Sequence, residues 1–519
     1  MASTFFGLTI AYSGLQAANT SLTITGHNVS NINTKGYTRQ QAGTQAADAL
    51  RTHTTYGAIG SGVVVTEISQ IRDSYYDVKY RNNMANYGQY SVKESYMGQI
   101  EDYLDEFTLN GYSQEYKNFF SAVNQLTITP GDTSAKNQLI NNAKSLADYF
   151  NTLTTNLRNV QADANNEIKD AVQQINSYAK NIAALNRQIN QIEANYGNAN
   201  DLRDKRNAMI DELSEIVNLE ISEEDMGNNV SNFSVRINGQ TLVSSYSYNT
   251  LETVARADKK NYSDAEGLYD VQWNSGQKFD MYSTSLSGHL KGLIDIRDGN
   301  NGEHENIETD DDGNNVTDSD GNLVLTTAPA ADKTVSYKGV PYYQAQLNEF
   351  AKIFSDAVNK IMKSGYTSDG SSKGISLFVT QPNTTVMSAG NITVNPELLK
   401  NADLLAIKKE QNDGESDAKI MEELNKLQSE KIFAGGTGSY FLESIVSDMS
   451  IDSQKAVNLY KNYTDLKTSI HNQRLSIMGV DTDEEAMDMI KYQQAYNLNS
   501  KMMSVMNQIY DKLINQTGI

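Results

Sequence analysis

Histidine, cysteine and clustered carboxylates are the residues most able to do chemistry, and this chain uses them sparingly. Five histidines stand at positions 27, 53, 289, 304 and 471, and there is no cysteine. Disulfides, zinc thiolate sites and cysteine nucleophiles drop out together. His304-Glu305 begins like the zincin helix motif, but the third residue after Glu305 is Glu308, not a second histidine. The acidic run Glu308 to Asp320 invites a calcium reading. With Gly313 at loop position 6, Glu308, Asp310 and Asp312 fall at positions 1, 3 and 5, but position 12 is Ser319 rather than glutamate. Gly435-Gly436-Thr437-Gly438 lacks the Lys-Ser/Thr of a phosphate loop and reads as a hinge. The sequence thus predicts no catalytic set, no cofactor site and no metal site, and a solvated acidic loop between 299 and 340.

Charge narrows the partners. A formal charge of −21 and a pI near 4.7 argue against nucleic acid and anionic membrane surfaces, which need clustered Lys and Arg. No stretch approaches the roughly 18 apolar residues of a membrane span. The N-terminus lacks the positive region of a secretory signal, since no Lys or Arg precedes Lys35 and no Asp or Glu precedes Asp48. Export, if it occurs, is expected without a cleaved signal.

The remaining signal is periodicity at both ends. Leu8, Leu15, Leu22 and Val29 recur every seven residues, with Ala11, Ala18, Thr25 and Ile32 at +3. Near the other end Met489, Tyr496, Met503 and Tyr510 do the same, with Tyr492, Asn499, Met506 and Leu513 at +3. Such spacing lays a narrow seam along a helix, which calls for a partner helix. The N-terminal seam is expected to pack against Leu459, Leu466, Ile470, Met489, Tyr496 and Met503, within one subunit and between neighbours. The first 34 residues are uncharged. So weak a helix is marginal alone and gains order by assembly.

The elements between these ends follow from the same rules. Ser134 to Ala194 holds neither Gly nor Pro and carries a heptad pattern with one stutter, predicting one helix on the order of 90 Å long. Two shorter helices divided near Asn110-Gly111 precede it, and Asp201 to Val217 follows. Alternating Phe233, Val235 and Ile237 run into the hairpin turn Asn238-Gly239 and the strand Thr241 to Val243. Leu268 to Phe279, holding Trp273, reads as strand, and a small hairpin is expected around Asn322 to Leu325. Pro341 to Met362 and Asp417 to Leu427 read as helices. From Tyr440 the chain is predicted helical to its end, with one turn at Gly479-Val480-Asp481 and a Thr482 to Glu485 capping pattern.

Several blocks resemble a known family. Ser13-Gly14-Leu15-Gln16-Ala17-Ala18, followed by Asn28 through Gln40 (with Asn28, Asn31, Thr34, Gly36, Tyr37 and Arg39), is similar to the N-terminal signature of bacterial flagellar rod, hook and junction proteins. Within that superfamily the Gly36-Tyr37-Thr38-Arg39-Gln40 ending resembles the hook-associated protein 1 family. Asn200 through Arg206, Ser287 through Ile294, and Tyr492 through Tyr496 resemble the same family. The resemblance implies a non-enzymatic axial component, exported through the flagellar type III route to an extracellular position on the flagellum. It implies a layer of self-associated copies at the hook's distal end, in contact with the hook protein and a second hook–filament junction protein. It also implies an export chaperone that holds the C-terminal helix, for which Tyr492, Met502, Met503, Met506 and Leu513 are the candidate contacts. Exposed methionines there would invite aggregation if left uncovered.

The fold class expected is α+β, predominantly α, with terminal coiled-coil helices and a long-helix rod domain carrying an inserted β-rich region. The expected division is 1–70 with 455–519 as a terminal assembly domain, 71–220 with 341–454 as the rod, and 221–340 as the β-rich region. Two alternatives stay open at this point: another axial subunit of hook or filament type, and a cell-wall hydrolase. The hydrolase would need a compact domain with a placed carboxylate pair.

Overall fold

The computed structural model describes residues 6–51, 58–109, 112–299, 304–310, 314–318, 321–328, 338–382, 384–414, 416–433 and 435–516. Its helices are α1 (Phe6–Ser30), α2 (Ser74–Leu109), α3 (Tyr112–Ile128), α4 (Thr133–Glu193), α5 (Asn200–Ile216), α6 (His289–Asp298), α7 (Gly339–Ser364), α8 (Pro396–Lys400), α9 (Lys419–Lys426), α10 (Gly438–Met478) and α11 (Thr482–Asn515). The long helix α4 appears as one unbroken element of 61 residues, as expected for a stretch without Gly or Pro. Small antiparallel sheets complete a mostly helical fold.

The chain forms two compact units. The first contains Met1–Ala85, Ile175–Thr250 and Tyr463–Ile519, and the second contains Asn86–Gln174 and Leu251–Asn462. Helices α2, α4 and α10 contribute residues to both.

In the first unit α1 packs along α11. A two-stranded ribbon pairing Gln40–Ala46 with Val63–Gln70 lies against α1, and sequence reading had assigned no strand here. Its signal was the β-branched run Val63-Val64-Val65-Thr66. A four-stranded meander follows α5, with Ser231–Ile237 and Gln240–Ser244 joined at Asn238 (φ 50°) and Gly239 (φ 75°), the left-handed pair a type I′ turn needs. Polar residues on α4 take up backbone groups of this sheet. Asn190 donates to Ser231 O (2.8 Å) and accepts from Ser231 N (3.2 Å), while Asn186 donates to Ser245 O (2.9 Å). The helix therefore keeps amides in a buried row because the sheet presents unpaired backbone groups to it.

The second unit is built on an aromatic cluster. Phe350 of α7 stacks on Phe433 (centroids 5.0 Å apart) and Phe150 of α4 (5.4 Å), and Phe354 meets Phe119 and Phe120 of α3. Here α4 repeats its polar device, since Gln161 donates to Asp264 and Arg297 O and accepts from Ala265 N.

Two local expectations need adjustment. The small hairpin expected around Asn322 to Leu325 is present, with Thr317 bridged to Leu323, but it lies inside a wider pairing the sequence did not suggest: His304–Ile307 pairs with Leu325–Ala328. Within it Asp310 and Asp318 each accept the backbone N–H four residues on, from Asn314 and Asn322 (2.8 Å each). Asp312, Gly313 and Ser319 of the calcium register lie outside the described residues. The second adjustment concerns the start of α11, which Asp481 caps, accepting from Asp483 N (2.8 Å) and Glu484 N (3.2 Å). A carboxylate one residue upstream displaces Thr482 as the cap, which frees Glu485 for a different bond.

Candidate assembly interface

The α1–α11 pairing is antiparallel with a strict heptad register. A Cβ built on Gly7 would sit 2.6 Å from Met506 Cε, and one on Gly14 would sit 2.6 Å from Asn499 Oδ1. Two heptads further along, Asn28 donates to Glu485 Oε1 at 3.2 Å. Each seven-residue step up α1 is matched by a seven-residue step down α11. Ala11, Ala18, Ser21, Thr25 and Asn28 are buried on this face. Helices come closest where side chains are smallest, so Gly7 and Gly14 set the approach.

The contact row is thus offset by one residue from the leucine row. Leu8, Leu15, Leu22 and Val29 are all half-buried. On α11 Tyr492, Tyr496, Asn499, Met503, Met506 and Tyr510 form the half-buried row, whereas Met489, Met502 and Leu513 are exposed. Ile470 is buried and Leu466 exposed, while Leu459 is half-buried and belongs to the second unit. Further apolar side chains on α11 (Ile490, Leu498, Val505 and Ile509) are also exposed.

Asn28 is the hub of the signature segment. Its amide donates to Gln40 O (3.0 Å) and Glu485, and its oxygen accepts from Gln40 N (3.0 Å) and Tyr37 Oη (2.7 Å). Burial, together with the carboxylates of Asp201, Asp204 and Glu485, raises the Tyr37 phenol, keeping it a donor. Asn31 and Thr34 close the turn after α1: Thr34 donates to Asn31 Oδ1 at 3.1 Å. Gly36 adopts φ 81°, and a Cβ there would meet Ala208 of α5 at 3.0 Å, so this turn needs glycine twice over.

Arg39 grips the first turn of α11. Its Nε donates to Glu485 Oε1 (2.6 Å), one terminal nitrogen to Glu484 (2.6 Å) and the other to Asp488 (3.4 Å). Burial opposes its charge, but hydrogen bonds to Glu484 and Glu485 prevail and hold its pKa above the ordinary value. Its backbone N–H donates to Met478 O (3.0 Å), tying it also to the end of α10.

The Asn200 to Arg206 block meets the N-terminal signature directly. Asp204 accepts from Thr38 N (2.9 Å) and Thr38 Oγ1 (2.7 Å), and Asp201 accepts from Gln40 Nε2 (2.8 Å). Burial raises the Asp204 carboxyl against those bonds and the charge of Arg72. An alternating chain continues from here: Arg72 to Asp77 (2.6 Å), Asp77 to Arg474 (2.8 Å), Arg474 to Asp211 (2.6 Å) and Asp211 to Arg81 (2.7 Å). Sequence reading singled out both blocks, and Glu485 as a capping residue, but foresaw neither the Thr38–Asp204 and Arg39–Glu485 pairings nor any part for Arg72 and Arg474. Complementary charges far apart in sequence were their only trace.

This arrangement orients chain ends and holds them. Among the described residues no group of three or more His, Asp or Glu side chains is set to hold a metal ion. No helix is long and apolar enough to cross a membrane, again among the described residues. Paired terminal helices held by a buried polar hub and ion pairs are the features of a structural protein.

Comparison with known proteins makes that class specific. Residues 97–378 match the flagellar hook-associated protein FlgK helical domain, and residues 471–516 match the C-terminal domain of the flagellar basal body rod FlgEFG proteins. The flagellar hook-associated protein 1 of Bacillus subtilis is 27% identical over 543 residues, covering 100% of this chain and 99% of that protein. Its counterpart in Salmonella typhimurium is 28% identical over 551 residues, covering 97% and 98%. The flagellar hook junction protein FlgK of Burkholderia pseudomallei has the same fold, with a TM-score of 0.60 at 15% identity over 77% of this chain and all of that one. The chain belongs to the FlgK family of flagellar hook-associated proteins, which is structural and non-enzymatic.

Proposed function

We propose that this chain forms the junction layer between hook and filament and that the filament requires it for assembly. Copies of the chain would associate laterally through the terminal helices, with the hook protein on one side and a second hook–filament junction protein on the other. The supporting observation is the two-sided character of the α1–α11 pair. Its inner face closes through Gly7, Gly14 and Asn28, while Leu8, Leu15, Leu22 and Val29 stay half-buried beside an exposed Met489, Met502 and Val505. Apolar surface left in this way gains stability only by covering it with further helices.

The same exposed row explains a need for an export chaperone. Met502 and Leu513 are open to solvent before assembly, and Tyr492, Met503 and Met506 become so when α1 is absent from them. The segments 1–70 and 455–519 then act as the assembly region, 71–220 with 341–454 as rod, and 221–340 as a β-rich region.

The test is Leu15→Asp combined with Leu22→Asp. Both sites are half-buried, so the monomer should keep its far-ultraviolet spectrum while filament growth on purified hooks is lost. Filaments growing normally from hooks capped with the double variant would overturn the reading. Pure wild-type protein polymerising by itself into long fibres would instead mark a hook or filament subunit.

A further inference from the structure

The family-like block Ser287 through Ile294 takes no part in the terminal interface, and its surroundings show a second feature. Gly292 of α6 packs directly on α2, where a Cβ would fall 2.7 Å from Gln89 O and 2.9 Å from Val92 Cβ. That close approach brings Lys291 and Asp295 of α6 to Lys93 of α2. Lys93 Nζ lies 2.6 Å from Asp295 Oδ2, which also accepts from Gln89 at 3.2 Å. Lys291 Nζ lies 2.9 Å from Asp295 Oδ1 and donates to Met281 O at 3.3 Å. Both lysine side chains are more than nine-tenths buried, and they share one carboxylate.

These groups line a cavity of about 320 Å³, whose wall also includes Tyr90, Ser287, Asp452 and Lys455. Three ammonium groups line it against two carboxylates, Asp295 and Asp452, and Asp452 already accepts from the Tyr343 hydroxyl at 3.2 Å. The neighbouring cluster closes on itself instead: Asp298 accepts from Arg256, Arg297 and the Tyr282 hydroxyl. Burial and the charges of Lys291 and Lys455 weigh on the Lys93 ammonium, lowering its pKa despite Asp295. A cavity whose wall sets three ammonium groups, two of them buried, against two carboxylates is complementary to an anion.

We propose that this cavity binds a small oxyanion, a carboxylate or phosphate group held by Lys93, Lys291 and Lys455. Two sources present that chemistry: a free anion, or an acidic side chain of a second copy of this strongly acidic chain. The probe is inorganic phosphate, titrated by calorimetry into full-length monomer at low ionic strength, against Lys291→Met and Lys455→Gln. Lys455 is exposed, so its variant keeps the fold intact even where Lys291→Met does not. Saturable wild-type binding weakened at least tenfold in Lys291→Met and severalfold in Lys455→Gln is the expected result. No saturable binding, or equal binding in wild type and Lys455→Gln, overturns the proposal. Sedimentation then identifies the source. Phosphate that suppresses wild-type self-association marks a neighbour's carboxylate, and phosphate that binds without altering it marks a free anion.

Discussion

Replacing Arg39 by alanine should open the end of the terminal helix pair, and the size of the effect follows from burial. The Glu485 side chain is 2% exposed and Arg39 19% exposed, so their bond is largely removed from water. Without Arg39 the carboxylate keeps, among the described residues, the Asn28 amide at 3.2 Å. Removing one partner of a buried ion pair costs about 3–5 kcal/mol, and the partial exposure of Arg39 brings this nearer to about 2–3 kcal/mol. The exposed Glu484 adds at most about 1 kcal/mol. A loss of about 2–3 kcal/mol raises local opening roughly 30- to 150-fold. Hydrogen exchange in peptides spanning 28–42 and 478–488 reads this directly. The cycle with Glu485→Gln isolates the pair, because neutralising the stranded carboxylate should recover much of the protection. A change below about threefold in Arg39→Ala, or a coupling energy under about 0.5 kcal/mol, would refute the assignment of Arg39 as the clamp.

Two further predictions concern buried carboxylates in the second unit. Asp356 is pushed up to about 6 by burial and then by Asp318. Its folded pKa lies above the unfolded value near 3.9, so this group's contribution declines as pH rises between about 4 and 6. Asp356→Asn should therefore stabilise the protein at neutral pH by about 1–2 kcal/mol, after allowance for partial exposure, and flatten that stretch of the melting profile. An unchanged melting temperature at pH 7 would count against it. Asp298 is the opposite case: burial is outweighed by Arg297 and Arg256, which hold its carboxyl far below the usual range. Its stabilisation is complete above the unfolded pKa near 3.9 and is lost as pH falls below that value. Asp298→Asn should cost about 3–5 kcal/mol at neutral pH, measured by urea unfolding, because two buried guanidinium groups lose their shared partner.

Much of the architecture was legible because it depends on local rules. An unbroken run without Gly or Pro extends α4 across 61 residues, and Asn238-Gly239 selects its own turn by tolerating positive φ. The division expected at Asn110-Gly111 lies outside the described residues, between the end of α2 at Leu109 and the start of α3 at Tyr112. Where long-range partners decide, local rules ran out. Glu485 fits a capping box by spacing, but Asp481 caps the helix and Glu485 turns to Asn28 and Arg39. The ribbon of Gln40–Ala46 with Val63–Gln70 escaped notice because its first strand, Gln-Gln-Ala-Gly-Thr-Gln-Ala, has little strand propensity and is held by its partner and α1.

The terminal helices show the division most clearly. Their sequences alone determined that both are helical, that both repeat by seven, and that the first lacks charge. They did not determine which row faces inward, because Leu8, Leu15 and Leu22 repeat by seven just as Gly7, Gly14 and Ser21 do. Hydrophobicity favoured the leucines. The +3 residues Ala11, Ala18 and Thr25 are buried as the spacing implied, but only the tertiary structure, by bringing Met506 and Asn499 against Gly7 and Gly14, put the glycine row at the contact while the leucines stay half-buried. Period fixes a face only when one row repeats; with two adjacent rows, the distance at which the backbones can meet makes the choice.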